Sequence, residues 1–257
     1  MLALIAGQGA LPSYIAPHAG LIAELKGNAP NVPTDLTFRL EHLGSFITTL
    51  REKGATEVCF AGAVRRPTID PNQIDAATRP LAKRLQATFT KGDDAALQTV
   101  LDIFEDAGLT IKGAHEAAPD LLPPTGVLTI EHPDTMARTN AKRANDALQI
   151  IGAADIGQGC VAANGQIIAV EAALGTDWML QSLTDRIDGP GGLFYKAPKP
   201  GQDRRVDLPT IGPDTVKAVA AANLHGIAIE ASGVMVLDLE ATIAEANRLK
   251  RFLWVKD

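Results

Sequence analysis

The chain has 257 residues, 46% of them hydrophobic and 21% charged, with a formal net charge of −6. That length suits one large globular domain or two small ones, each with its own core. The acidic balance leaves no basic field to hold nucleic acid by counterion release, and no apolar run nears the ~20 residues of a membrane-spanning helix. Two cysteines, Cys59 and Cys160, fall in no C-x-x-C or Cys/His cluster, so no zinc site is written. Gly7 and Gly9 interrupt the apolar start too early for a secretory signal. A cytoplasmic protein is expected, with peripheral contact to the inner membrane left open.

In chain order, Leu2–Ala6 reads as a buried strand that runs into Gly7-Gln8-Gly9. Leu11–Leu25 is expected to be helical, limited or kinked by Pro17. A short strand follows at Thr37–Leu40. His42–Lys53 is a helix with Leu43, Phe46, Ile47 and Leu50 on one face and Gly54 as its stop. Glu57–Ala61 is the next strand and ends at Gly62. Asp93–Ala107 carries Leu97, Val100, Leu101 and Phe104 at helical spacing, then Gly108 and a strand at Thr110–Gly113. Strands separated by helices imply a mostly parallel sheet with right-handed crossovers.

Pro119, Pro123, Pro124 and Gly126 mark a boundary, giving domains 1–125 and 126–257. The second domain opens with a helix, Thr135–Ile151, capped by Asp134. Cys160–Val170 is a hairpin signature around Asn164-Gly165. Next come a helix at Asp177–Ile187, a strand at Leu193–Ala197 and an extended segment at Val206–Leu208. A helix follows at Thr215–Asn223. A second hairpin, Ile227–Ala231 with Val234–Leu237, is expected around Ser232-Gly233, then a helix at Leu239–Leu249 capped by Asp238. The fold class is α/β: an N-terminal Rossmann-like, mostly parallel sheet domain and a C-terminal α+β domain with a mixed sheet.

Several stretches could carry chemistry. Gly7-Gln8-Gly9 ends a strand, where backbone N–H groups and a helix start favour an anion. The spacing alone equally fits a tight connecting turn. Arg65 and Arg66 follow the third strand, on the sheet edge where open parallel sheets bind ligands. Lys91-Gly92-Asp93-Asp94 opens a helix; one aspartate suits a cap and the other a ribose hydroxyl or a metal-bound water. The segment 195–213 packs Lys196, Lys199, Arg204 and Arg205 among Gln202, Asp203 and Asp207, punctuated by Pro and Gly. Cations that neutralise phosphate beside a carboxylate that orients water or holds Mg²⁺ suit phosphoryl transfer. Gly175-Thr176-Asp177 has the same character in smaller form. The five histidines are scattered without metal-ligand spacing.

These stretches, with Leu4–Pro12, Ala61–Pro67, Gly92–Leu97, Gly113–Leu122, Asp155–Gly159, Gly175–Leu180, Lys199–Asp203 and Val206–Pro213, resemble one family from end to end. It is the UDP-2,3-diacylglucosamine pyrophosphatase of lipid A biosynthesis, in the form found where the metallophosphoesterase version is missing. Val206 stands where Phe commonly precedes the motif aspartate, and Leu174 where Glu or Gly is expected.

The resemblance implies hydrolysis of the substrate's pyrophosphate with Mg²⁺, giving UMP and 2,3-diacylglucosamine 1-phosphate. Asp207 is then the catalytic aspartate and Lys199 its phosphoryl-stabilising partner. Gly7, Gln8, Gly9, Ala10, Leu11, Gly62, Arg65, Asp93, Gln158, Thr176, Asp177 and Lys196 form the expected substrate-binding set. The first domain takes the UDP and the second covers sugar and acyl chains; the metal ligands stay unassigned. A homodimer is expected on general grounds.

Two rival functions stay open at this point. A nicotinamide oxidoreductase rests on Gly7-x-Gly9 but needs an acid at the end of the second strand, and Glu24, nearest by spacing, falls in the expected first helix. A non-catalytic nucleotide-sugar sensor would keep the glycine turn and not need Asp207. The D-x-H and G-N-H ligands of metallophosphoesterases and the R-E-x-x-E-E helix of Nudix enzymes are absent.

Overall fold

A computed structural model describes residues 1–65, 68–88, 93–187, 189–206 and 208–257, without the side chains of 86–88 and 93–95. The chain forms two compact units, Met1–Pro119 and Asp120–Asp257.

Unit 1 contains β1 (Leu2–Ala6), α1 (Leu11–Ile15), β2 (Leu21–Leu25), β3 (Leu36–Phe38), α2 (Leu43–Glu52) and β4 (Glu57–Ala61). They are followed by α3 (Ala82–Thr88), α4 (Asp93–Asp106), β5 (Thr110–Ile111) and α5 (Ala114–Ala117). The sheet order is β3-β2-β1-β4-β5, and every neighbouring pair is parallel. The order reverses between β1 and β4, so the loops leaving those strands share the edge where such sheets take ligands. All of β1 is buried, as expected of a central parallel strand. Phe46 of α2 stacks on Phe38, with ring centroids 3.9 Å apart, and meets Phe104 of α4 edge-on.

The long first helix expected over 11–25 does not form. α1 stops at Ile15, and Leu21–Leu25 pairs with β1 as β2. Leu21, Ala23 and Leu25 are buried while Ile22 and Glu24 are half-buried. That is a period of two, which fits a sheet and not a helix. Glu24 therefore lies on a strand, where its carboxylate accepts from the Thr37 hydroxyl at 2.9 Å.

Unit 2 contains β6 (Gly126–Val127), α6 (Thr135–Ala153), β7 (Gly159–Ala163), β8 (Gln166–Val170), α7 (Gly175–Gln181) and β9 (Leu193–Lys196). Then come β10 (Thr210–Ile211), α8 (Pro213–Ala221), β11 (Gly226–Glu230), β12 (Met235–Val236), α9 (Leu239–Arg248) and β13 (Phe252–Lys256). The main sheet runs β6-β13-β11-β9-β7-β8. Its centre, β13-β11-β9, is parallel and its flanks are antiparallel.

Alternation along β9 sends Leu193 and Tyr195 toward one face and Phe194 toward the other. On the first face, Ala137, Ala141, Ala144 and Leu148 of α6 pack against Leu193 and Tyr195. On the second, Phe194 joins Met179, Val216 and Ala246 from α7, α8 and α9. Asp134 caps α6 by accepting from Ala137 N at 2.7 Å. Asn164 and Gly165 have φ of 50° and 76°, the left-handed pair a type I′ hairpin turn requires.

Two expectations in this unit are corrected, and one strand went unmarked. The hairpin expected across 227–237 is absent: β11 lies between β9 and β13, and β12 pairs parallel with β10. Ser232, at φ 55°, turns the chain out of the main sheet instead of back along it. α7 ends at Gln181 and not at Ile187, which is fully exposed. The terminal strand β13 goes unmarked by periodicity because a strand with helices over both sides shows little alternation.

Candidate active site

In unit 1, the two sheet-edge loops are laced to each other. Gly7 N donates to Ala61 O at 2.8 Å, Gln8 N to Ala63 O at 2.7 Å, and Ala63 N to Gln8 O at 2.9 Å. A Cβ on Gly7 would lie 2.6 Å from Ala63 O, and one on Gly62 2.7 Å from Gln8 O. These two glycines thus serve the approach of loop to loop, so the first two N–H groups of the turn are already spent. Gly9 differs: it has φ 98° and open space around it. Gly9 and Ala10 are exposed and Leu11 half-buried.

A third loop joins this edge from β2. Buried Asn28 accepts from Arg65 N at 2.6 Å, which fixes the backbone while the Arg65 side chain faces solvent. Arg66 and the Asp93 side chain lie outside the described residues.

A cavity of about 460 Å³ opens not at the glycine turn but between β3 and α2. Lys26, Thr37, Arg39, His42 and Ser45 line it above Phe38 and Phe46. Beside it, Arg39 grips buried Glu41 with two hydrogen bonds, at 3.2 and 2.9 Å. That guanidinium, helped by the backbone N–H of Asp70, holds the Glu41 carboxyl down at about 2.

In unit 2, the expected residues gather at the C-terminal end of β9. Lys196, only 5% exposed, closes that strand and pairs in register with Gly159 of β7. Its Nζ donates to Thr176 Oγ1 at 2.6 Å and lies 3.6 Å from Glu171 Oε2. Thr176 opens α7, with Asp177 exposed beside it.

Lys199 sits three residues beyond the strand. Its Nζ donates to Asp155 at 2.6 Å, and its backbone N–H to Gln202 Oε1 at 2.9 Å. Gln202 in turn donates to Gln158 Oε1 at 3.4 Å, and Gln158 O accepts from Ala197 N at 3.1 Å. Gly152, at the end of α6, leaves room for this loop, since a Cβ there would lie 2.8 Å from Pro200. Lys196, Thr176, Gln158 and Lys199 thus share one neighbourhood, and Asp177 is at its border. Asp207 lies outside the described residues; its neighbours Val206 and Leu208 are half-buried and buried.

Each of the four basic residues in the loop region has an acidic partner. Lys196 faces Glu171, Lys199 Asp155, Arg204 Glu230 and Arg205 Asp203. The Arg205 guanidinium holds the Asp203 carboxyl below the usual carboxylate range. These cations are stored in ion pairs that an anionic ligand must share or replace. Glu171, Asp155 and Glu230 carry no sequence signal in that role; partners remote in sequence come together only through the sheet.

Among the described residues, no group of three or more His, Cys, Asp or Glu side chains is disposed to hold a metal ion. Mg²⁺ is commonly held by one or two carboxylates together with a ligand's phosphates and water. Both cysteines are buried, on β4 and β7, and burial pushes their thiols up to about 12. They behave as small apolar residues. Among the described residues, no helix is long and apolar enough to cross a membrane.

Two family models match the chain: the LpxI N-terminal domain over residues 1–121 and the LpxI C-terminal domain over residues 124–254. The chain is also 39% identical over 272 aligned positions to the UDP-2,3-diacylglucosamine pyrophosphatase LpxI of Caulobacter vibrioides. That alignment covers 98% of this chain and 96% of the relative.

Proposed function

The chain belongs to the LpxI family, and from that premise we propose that it hydrolyses the pyrophosphate of UDP-2,3-diacylglucosamine in lipid A biosynthesis. The products are UMP and 2,3-diacylglucosamine 1-phosphate. The observation that carries the reading is likeness across both units to a relative bearing that activity as its name. The cluster at the end of β9 supports it chemically, because buried donors beside stored cations suit a diphosphate.

In this reading unit 1 takes the UDP. Exposed Gly9, Ala10 and Leu11, with the Arg65 side chain, are the groups left available once the loop lacing is complete. Unit 2 acts on the diphosphate. Thr176 and Lys196 donate to phosphate oxygens, and Lys199 leaves Asp155 to stabilise charge on the departing group. Asp207 orients the attacking water and accepts its proton as the new P–O bond forms and the bridging P–O bond breaks. Attack at either phosphorus gives the same two products.

Mg²⁺, when bound, would be held by the diphosphate with a carboxylate such as exposed Asp177, and would neutralise part of the diphosphate charge. Leu174 and Trp178 flank Thr176 and are 65% and 56% exposed. They supply apolar surface for acyl chains or a membrane face.

The test is release of UMP from UDP-2,3-diacylglucosamine by the purified protein, with Mg²⁺ and with EDTA. Mg²⁺-dependent release is expected. Tight UDP-sugar binding with no turnover would favour a sensor instead.

A further inference from the structure

We propose that Glu171 is a positioning residue for the phosphoryl chemistry, holding the Lys196 ammonium so that Thr176 presents its hydroxyl to a phosphate oxygen. The role rests on the pyrophosphatase reading above. It accounts for two features that reading leaves unused: a buried carboxylate oxygen without a hydrogen bond, and the glycines of the stretch 155–159.

Glu171 follows β8, and its backbone N–H donates to Gly159 O at 2.8 Å, so the residue is fixed where it leaves the sheet. It is only 8% exposed. Its Oε2 is buried and makes no hydrogen bond among the described residues, while standing 3.6 Å from Lys196 Nζ. Burying a carboxylate is costly unless it is paired and hydrogen-bonded. A purely structural ion pair relaxes to satisfy its oxygens, and an orphaned one calls for an explanation. Here the carboxylate stands just beyond hydrogen-bond reach of an ammonium that already donates to Thr176.

The surroundings are shaped for this carboxylate. A Cβ on Gly159 would lie 2.4 Å from Glu171 Oε2, and one on Gly157 2.0 Å from Glu171 O. At Gly157 the obstacle is backbone, so only glycine leaves the room; at Gly159 a side chain would displace the carboxylate or press on the Phe194 ring. The stretch Gly157-Gln158-Gly159 therefore builds the seat of Glu171 from one side while Gln158 reaches the Lys199 loop from the other.

The consequence runs through Thr176. A hydroxyl has one proton to give. Because Thr176 Oγ1 accepts from Lys196, that proton is directed elsewhere, and the ammonium polarises the O–H as a donor. Glu171 supplies a countercharge that helps keep Lys196 in this place despite its burial. Removing it lets the ammonium shift away from Thr176 without changing the groups that hold UDP.

The experiment compares wild type, Glu171→Gln, Thr176→Val and Glu171→Gln/Thr176→Val in steady-state hydrolysis of UDP-2,3-diacylglucosamine, with thermal melts of each. Glu171→Gln is expected to lower kcat about tenfold or more and leave KM within about threefold. In the Thr176→Val background the same change is expected to cost less than about twofold, because its target is gone. A Glu171→Gln kcat within about twofold of wild type, or a cost that multiplies fully in the Thr176→Val background, overturns the role.

Should Glu171→Gln lose its cooperative melt, Glu171→Gln/Lys196→Met removes both charges and is the second arm. It is expected to melt cooperatively and to be no slower than Lys196→Met alone. A double variant clearly slower than Lys196→Met overturns the role. A wild type that releases no UMP overturns the parent reading, and is distinguishable because it appears before any variant is made.

Discussion

The two units prepare for an anion in opposite ways. Unit 1 works with backbone: at its sheet edge the loops after β1 and β4 exchange main-chain hydrogen bonds, and two glycines make the approach possible. Unit 2 works with side-chain charge: Lys196 and Lys199 are held at the end of β9 against Glu171 and Asp155. A backbone lattice is rigid and carries no net charge, which suits recognition. Stored ion pairs can be exchanged for a diphosphate, which suits chemistry. The difference supports the proposed division, in which the first unit mainly binds and the second mainly turns substrate over.

The sharpest break of this comparison is Asp207→Ala. If Asp207 handles the attacking water as proposed, its loss should lower kcat by about 10³ and leave UDP affinity nearly intact. Equilibrium binding of UDP beside turnover measures both. Near-normal turnover would remove Asp207 from the mechanism.

A smaller effect concerns acid. Unit 1 also pairs half-exposed Arg39 with buried Glu41, beside the cavity and away from the glycine turns. The Glu41 carboxyl falls from its ordinary 4.5 to about 2 in the fold. Its ionised form therefore stabilises the fold fully above pH 4.5, and the contribution fades as pH falls toward 2. It amounts to at most about 3 kcal/mol. Glu41→Gln should flatten the pH dependence of denaturant stability across that window, and an unchanged slope would contradict the assignment.

Gly7→Ala probes the lacing itself. Its methyl would press on Ala63 O, at an expected cost of about 1–3 kcal/mol. A rise in KM with kcat kept fits a binding role for this edge; a fall in kcat alone would blur the division between units. The smallest effect is expected at the thiols. Cys59 and Cys160 are buried with their thiols pushed up to about 12, so native protein should resist a thiol reagent that labels both once unfolded.

Much of the parallel sheet could be read in the sequence, because Leu2–Ala6 and Glu57–Ala61 are apolar runs bounded by glycine. The segment 11–25 misled because Leu21, Ala23 and Leu25 sit among other apolar residues, which hid their period of two. At 227–237 the Ser232-Gly233 turn was visible, but nothing local says that β12 pairs with β10 instead of β11.

The site divided similarly. Thr176, Lys196 and Lys199 were legible as polar groups set among Gly and Pro, Gln158 only through the family resemblance of Asp155–Gly159, and the fold brings them together. Glu171, and the role of Asp155 as a partner of Lys199, were not, since a countercharge is defined by contact in the fold and leaves no spacing rule. The glycine turn was legible as a turn. That its first N–H groups serve the neighbouring loop depends on the register of β1 against β4.

The central claim is tested most directly by following UMP release from UDP-2,3-diacylglucosamine with purified wild-type protein and Mg²⁺. The account predicts stoichiometric UMP and 2,3-diacylglucosamine 1-phosphate, abolished by EDTA. Binding of the substrate without any UMP would contradict it.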